Sequence, residues 1–179
     1  MTPISLHNDL PVVRHSTTEP SPFLVRATPI LDTIVQHCHY DAVSPSAIDI
    51  GCGNGRQSRF LEKMGFEVLS FDRKPDYGYQ IELEKQQLPI LSGSVNVAVL
   101  SYVLMFLNPK AALRLVHQTL KSLRPEYSAM IVELQDVKSG CIHGAELVEL
   151  LDSIEKMAEK YQLKTITRRK SHLLVAKGR

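Results

Sequence analysis

The stretch "AIDIGCGNGRQS", residues 47–58, places three of the chain's nine glycines at every second position, directly after an apolar run and an aspartate. An apolar run ended by glycines reads as a buried strand turning sharply into a helix, and a glycine removes the side chain that would keep a ligand from the backbone. In an open parallel sheet such a loop lies at the carboxyl end of a strand, where ligands bind. Two familiar glycine loops do not fit. A dinucleotide fingerprint beginning at Gly51 needs a glycine where Arg56 stands, and the phosphate loop's closing Gly-Lys-Ser/Thr is absent. Asp49, two residues before the first glycine, is a poor neighbour for a phosphate and suits a ligand with a cationic end.

The rest of the chain repeats the strand-then-helix alternation. Ala47–Ile50, "FEVLSFD" ending on Asp72, "VNVAVLS" and "YSAMIVEL" read as buried strands, with a short strand around Tyr79 to Leu83. Between them, apolar positions recur at helical spacing. Thr28-Pro29 marks a helix start, with Ile30, Leu31, Ile34, Val35 and Cys38 on one face. Gln57–Met64 turns Phe60, Leu61 and Met64 inward and stops at Gly65, Asn108-Pro109 opens a helix that Pro125 closes, and Gly144–Tyr161 is strongly amphipathic. Two final strands, Lys164–Thr167 and His172–Ala176, are separated by only "RRKS", which permits a hairpin but no crossover helix. The expectation is an α/β, Rossmann-like, doubly wound sheet, mostly parallel, with helices on both faces and one antiparallel strand at the C-terminal edge. Residues 1–22, with four prolines and little periodicity, form an arm or a lid, in which Arg14 and His15 could close over a pocket; residues 23–179 form one domain.

Composition narrows the function classes. The 179 residues carry a formal charge of +2, too little to require a polyanionic partner. The longest apolar run, Val95–Leu107, is broken by Asn96 and Ser101, so no membrane span is expected. Three scattered cysteines without a CxxC spacing and a proline-rich, charged start imply a reduced compartment, the cytoplasm, with no disulfides and no export. His37-Cys38-His39 is not a metal site, because on a helix positions i and i+2 point about 200° apart.

Taken in order, Asp49-x-Gly51-x-Gly53-x-Gly55, Asp72, "LPILSGSVNVAVLSYVLMFL", "SLRPEYSAMIVEL" and the closing hairpin resemble the motifs of class I S-adenosylmethionine-dependent methyltransferases across residues 46–178. "GCGNGRQS" and "VLMFL" are most similar to the tellurite-resistance methyltransferases. The chain departs from the family's "LKPGG" turn, where Glu126 and Tyr127 replace the two glycines. The resemblance implies S-adenosylmethionine as cofactor, held by Asp49, Gly51, Cys52, Gly53, Gly55, Asp72, Glu84 (or else Glu82, near the adenine amino group) and Ser101, with no metal. It places Tyr102 and Met105 toward the acceptor.

The Asn/Asp-Pro-Pro-Tyr tetrapeptide of enzymes that methylate base amino groups is replaced by "SYVL", and no general base stands out. A small-molecule acceptor such as a thiol or soft anion needs none, since its nucleophile is already anionic. Tyr102 and His143 are the catalytic candidates, and Asp136 and Cys141 accompany His143 in the loop after the fifth long strand. Six Lys/Arg within residues 164–179, with no acid, keep an RNA substrate as an alternative, although such cations also discourage sheet-edge pairing. A non-catalytic cofactor-binding or scaffolding protein is the third reading.

Overall fold

The computed structural model describes residues 17–178. Seven strands form one sheet: β1 (Ser46–Ile50), β2 (Glu67–Asp72), β3 (Tyr79–Gln80), β4 (Val97–Ser101), β5 (Ser128–Glu133), β6 (Lys164–Arg169) and β7 (His172–Lys177). Their order is β3-β2-β1-β4-β5-β7-β6. All pairs from β3 to β5 are parallel, while β7 runs antiparallel to both β5 and β6. The expected antiparallel strand is therefore β7, inserted one place inside the edge, and β6 occupies the edge itself.

Among the described residues five α-helices cover the two faces: α1 (Pro22–Arg26), α2 (Thr28–Tyr40), α3 (Arg56–Lys63), α4 (Pro109–Ser122) and α5 (Ala145–Lys160). Strand residues alternate between the faces. Ile48, Ile50, Ala98, Leu100, Met130 and Val132 join Leu115, Leu120, Leu151 and Ile154 of α4 and α5 in one apolar layer. Ala47, Val97, Val99, Ala129 and Ile131 join Leu24, Leu31, Ile34 and Leu61 of α1, α2 and α3 in the other. With both faces covered, the inner strands are apolar throughout, which is why they read as continuous runs in the sequence.

Two local details differ from the sequence reading. A short helix, α1, begins at the end of the segment read as an arm: Ser21 accepts the Leu24 N–H at 3.0 Å and Pro22 follows at the first helical position. Thr28 is not a cap. Helix α2 follows α1 directly through Ala27, and the Thr28 hydroxyl turns back to donate to the Val25 carbonyl. Arg14 and His15 lie outside the described residues.

Candidate functional site

The glycine loop joins β1 to α3 at the carboxyl end of the parallel strands, beside the first crossover in strand order, where β1 lies between β2 and β4. Its N–H groups at Gly51 and Cys52 both reach the Phe71 carbonyl, at 2.7 and 3.1 Å, tying the loop to β2. Gly51, Gly53 and Gly55 all have positive φ. Their surroundings differ. A Cβ on Gly51 would lie 2.5 Å from that of Val103, and one on Gly55 would enter the Tyr77 ring. Only Gly53 faces open space, with nothing within 4 Å of a built Cβ.

Asp72 closes β2 with both oxygens engaged: Oδ2 accepts the Gly53 N–H at 3.0 Å and Oδ1 the Lys74 N–H at 2.9 Å. Its carboxylate therefore stands at the open part of the loop. Cys52 is buried and donates its thiol to the Tyr77 carbonyl at 2.9 Å, pinning the loop that follows β2. Burial, with Asp49 and Asp72 nearby, pushes that thiol far up, so it stays protonated.

Asp49 is 1% exposed and turned toward α3. Its Oδ2 accepts the Ser58 hydroxyl at 2.6 Å, and that hydroxyl in turn accepts from Ser70 at 2.8 Å. Burial raises the Asp49 carboxyl to about 6, against the opposing pull of Ser58. Glu84 accepts from the Asn108 N–H at 3.3 Å, supporting the start of α4, whose cap is Asn108 itself. Glu82 is half-buried between the buried Ile81 and Leu83.

Beside the glycine loop lies a cluster whose centre sequence reasoning missed. Glu133, at the end of β5, is fully buried. It pairs in register with Ser101 on β4 and His172 on β7, so one row across three neighbouring strands brings the three together. Ser101 and Ser21 both donate to Oε1 at 2.6 Å, and the Tyr102 hydroxyl donates to Oε2 at 3.1 Å. His172 Nε2 stands 3.8 Å away; burial lowers its pKa despite the carboxylate. Tyr102 adopts a left-handed φ of 59° just after β4, and burial beside Glu133 pushes its phenol up to about 12. Arg56, nine-tenths buried, lies over the Tyr102 ring at 5.6 Å. Gln57, 3% exposed, accepts the Ser21 N–H at 3.0 Å. A sequence signal for this cluster exists: an acid closing an otherwise apolar strand must be partnered when buried.

The remaining candidates lie apart from these contacts. Met105 is core, 1% exposed, and its carbonyl receives the Cys141 N–H at 2.6 Å. His143 pairs with Asp136 at 3.0 Å on the surface, and that hydrogen bond raises the imidazole's pKa while lowering the carboxyl's. His37 stacks on Tyr127 at 3.7 Å, a packing role, and Tyr127 itself holds a left-handed φ of 46°. No described helix is long and apolar enough to cross a membrane, and the described residues contain no group of three or more potential metal ligands.

The family model for the tellurite resistance protein TehB matches residues 27–143. No curated protein matches the chain in sequence. Among solved structures, a TehB-like S-adenosylmethionine-dependent methyltransferase from Corynebacterium glutamicum aligns with TM-score 0.55 at 16% identity, covering 84% of this chain and 88% of that one. Burkholderia thailandensis 1,6-didemethyltoxoflavin-N1-methyltransferase, solved with S-adenosylhomocysteine, gives 0.53 at 15% identity over 84% and 77%. TehB from Haemophilus influenzae gives 0.52 at 15% over 81% and 61%. With the sheet order, the glycine loop and its neighbouring acid in place, the chain belongs to the TehB family and carries the class I fold of S-adenosylmethionine-dependent methyltransferases.

Proposed function

We propose that this protein transfers the methyl group of S-adenosylmethionine to a small, soft nucleophile, a thiolate or a comparable anion. The observation that carries the cofactor reading is the open face of Gly53 with the Asp72 carboxylate beside it, at the strand ends where this fold binds ligands. The residues fit such a cofactor. Asp72 would exchange its loop amides for the ribose hydroxyls, and the Gly51 and Gly53 backbones would flank the amino-acid part. Glu82 is the better acid for the adenine amino group, since Glu84 is engaged by Asn108. Asp49, enclosed with Ser58, would act on the ligand's ammonium through its field or an intervening water. Ser101 would line the pocket while remaining hydrogen-bonded to Glu133.

When bound, S-adenosylmethionine supplies a methyl group already activated on a sulfonium, so positioning and exclusion of water remain for the protein. Tyr102, protonated at neutral pH and with its one hydroxyl proton given to Glu133, would wall the acceptor side with its ring rather than donate to the acceptor. A thiolate arrives without a proton to lose, which suits a site without an evident free base. The RNA alternative is weakened by Arg168, which is paired with Asp152 at 2.6 Å and so is not available to a phosphate backbone.

Calorimetric titration with S-adenosylmethionine and S-adenosylhomocysteine, with NAD as control, tests the reading. Binding of the first two, lost in Asp72→Ala, followed by turnover on small thiols, is expected. Binding without turnover on any acceptor would leave a cofactor-binding scaffold, and no binding would remove the methyltransferase reading.

A further inference from the structure

At the amino ends of the parallel strands, opposite the glycine loop, the chain forms a second concavity. Helices α4 and α5 both finish there, beside the approach to β4 at Gly93 and the last residue of β7, Lys177. The cleft holds about 430 Å³, inside the range of roughly 300–1,000 Å³ that small-molecule sites occupy. Its floor is apolar, with Leu120, Leu123 and Leu163 buried and the Tyr161 ring half-buried. Lys121, Arg124, Lys160 and Lys177 line it as well, and no acid does. Glu126 and Glu159, the acids adjacent in sequence, lie outside the lining.

Four like charges converging on one cleft repel one another. Among the described residues none of the four forms an ion pair with a carboxylate. Lys177 donates to the Gln162 amide oxygen at 2.8 Å and Arg124 Nε to the Ser94 carbonyl at 3.4 Å, both neutral acceptors that leave the charges uncompensated. The dipoles at the carboxyl ends of α4 and α5 account for a lysine each, Lys121 and Lys160. They do not account for Arg124 and Lys177, which belong to no helix. Nor are the lysines needed as caps. The Lys121 and Ser122 carbonyls accept the Gly93 and Ser94 N–H groups at 3.0 and 2.8 Å, and the Ala158 and Glu159 carbonyls accept those of Leu163 and Gln162 at 3.1 and 2.8 Å. We infer that this cleft binds a small organic phosphate, its head against the four cations and its apolar part against Tyr161 and the leucine floor. A phosphate monoester brings close to two negative charges and three acceptor oxygens, which suits four cations better than the single charge of a carboxylate. The cleft and the Gly53–Asp72 site occupy opposite ends of the sheet, so the inference stands independently of methyl transfer.

Calorimetric titration in a phosphate-free buffer tests it, with phenyl phosphate, inorganic phosphate and benzyl alcohol as probes. Wild type should bind phenyl phosphate with a sub-millimolar Kd, about tenfold more tightly than either of the others, since neither supplies both parts. Lys121→Gln combined with Lys160→Gln removes two exposed charges and should weaken phenyl phosphate by about tenfold. Far-ultraviolet circular dichroism and a thermal melt establish that this variant is folded, and Lys160→Gln alone, the milder change, should show about a threefold loss. Lys63→Gln combined with Lys85→Gln makes the same change in net charge at exposed positions outside the cleft, and Asp72→Ala alters the glycine-loop site. Both should bind phenyl phosphate as wild type does. Three results would each overturn the inference: no wild-type binding tighter than about 1 mM, equal weakening by the two lysine pairs, or loss of binding in Asp72→Ala.

Discussion

Asp49 carries an energetic burden that its position explains. A carboxylate enclosed at 1% exposure loses hydration that one strong hydroxyl bond only partly replaces, so the folded protein holds the proton to about pH 6, above the ordinary 3.8. Between those values the folded state binds a proton that the unfolded chain has released. Stability from this group is therefore full below pH 3.8 and is lost as pH rises through 6, a loss on the order of 3 kcal/mol. Asp49→Asn keeps an acceptor for Ser58 and removes the charge. Without cofactor it should melt above wild type at pH 8, with the gap narrowing toward pH 4.5; a gap independent of pH would contradict this account. The glycines make a second contrast. Gly51→Ala drives a methyl into Val103 and should destabilise the fold, whereas a Cβ at Gly53 meets nothing within 4 Å, so the cost of Gly53→Val is chiefly the strain of a left-handed φ, about 1–2 kcal/mol. Thermal melts and cofactor titration together should find Gly53→Val folded and unable to bind, and normal affinity there would sink the assignment of that open face.

Among the elements, α1 shows how a short helix escapes a sequence reading. Five residues cannot display a periodicity, and Ser21-Pro22 resembles the proline-rich stretch before it. What fixes α1 is a tertiary bond, the Ser21 hydroxyl on Glu133, which no local pattern encodes. Ser21→Ala removes both the cap and one donor to a buried acid, a combined loss of roughly 2–4 kcal/mol. Urea unfolding should register it, with Ser21→Thr recovering most of the loss; a change under about 0.5 kcal/mol would mean the bond contributes little. The longer elements were legible for the opposite reason. Helices α4 and α5 present apolar residues every three or four positions, and β4 and β5 are apolar from end to end because both their faces are covered.

At the scale of the molecule, the mostly parallel sheet with an antiparallel hairpin follows from the alternation of elements and the impossibility of a crossover in "RRKS", whereas the place of β7 inside the edge does not. The glycine loop and Asp72 were readable because backbone demands leave glycines behind. Glu133 was not, since its significance arises from strands far apart in sequence meeting at one row. The basic C-terminal segment also divides in space. Its hairpin turn, with Arg169 and Lys170, lies at the site end, and Lys177, paired with Ser128, lies at the other. At that other end Lys121, Arg124, Lys160 and Lys177 line a cleft of about 430 Å³. A split patch gives no continuous track for a phosphate backbone, so Arg169→Gln with Lys170→Gln should elute from immobilised RNA at the same salt concentration as wild type. Earlier elution would revive the RNA reading.

The antiparallel course of β7 has a practical corollary for anyone attaching the protein to a sensor chip or a fluorophore. Ser21 is hydrogen-bonded into the site, while Lys177 emerges beside Ser128 at the far end of the sheet. A linker joined after residue 177 points away from the pocket, whereas a reporter placed just ahead of Ser21 would start its path at the pocket's rim.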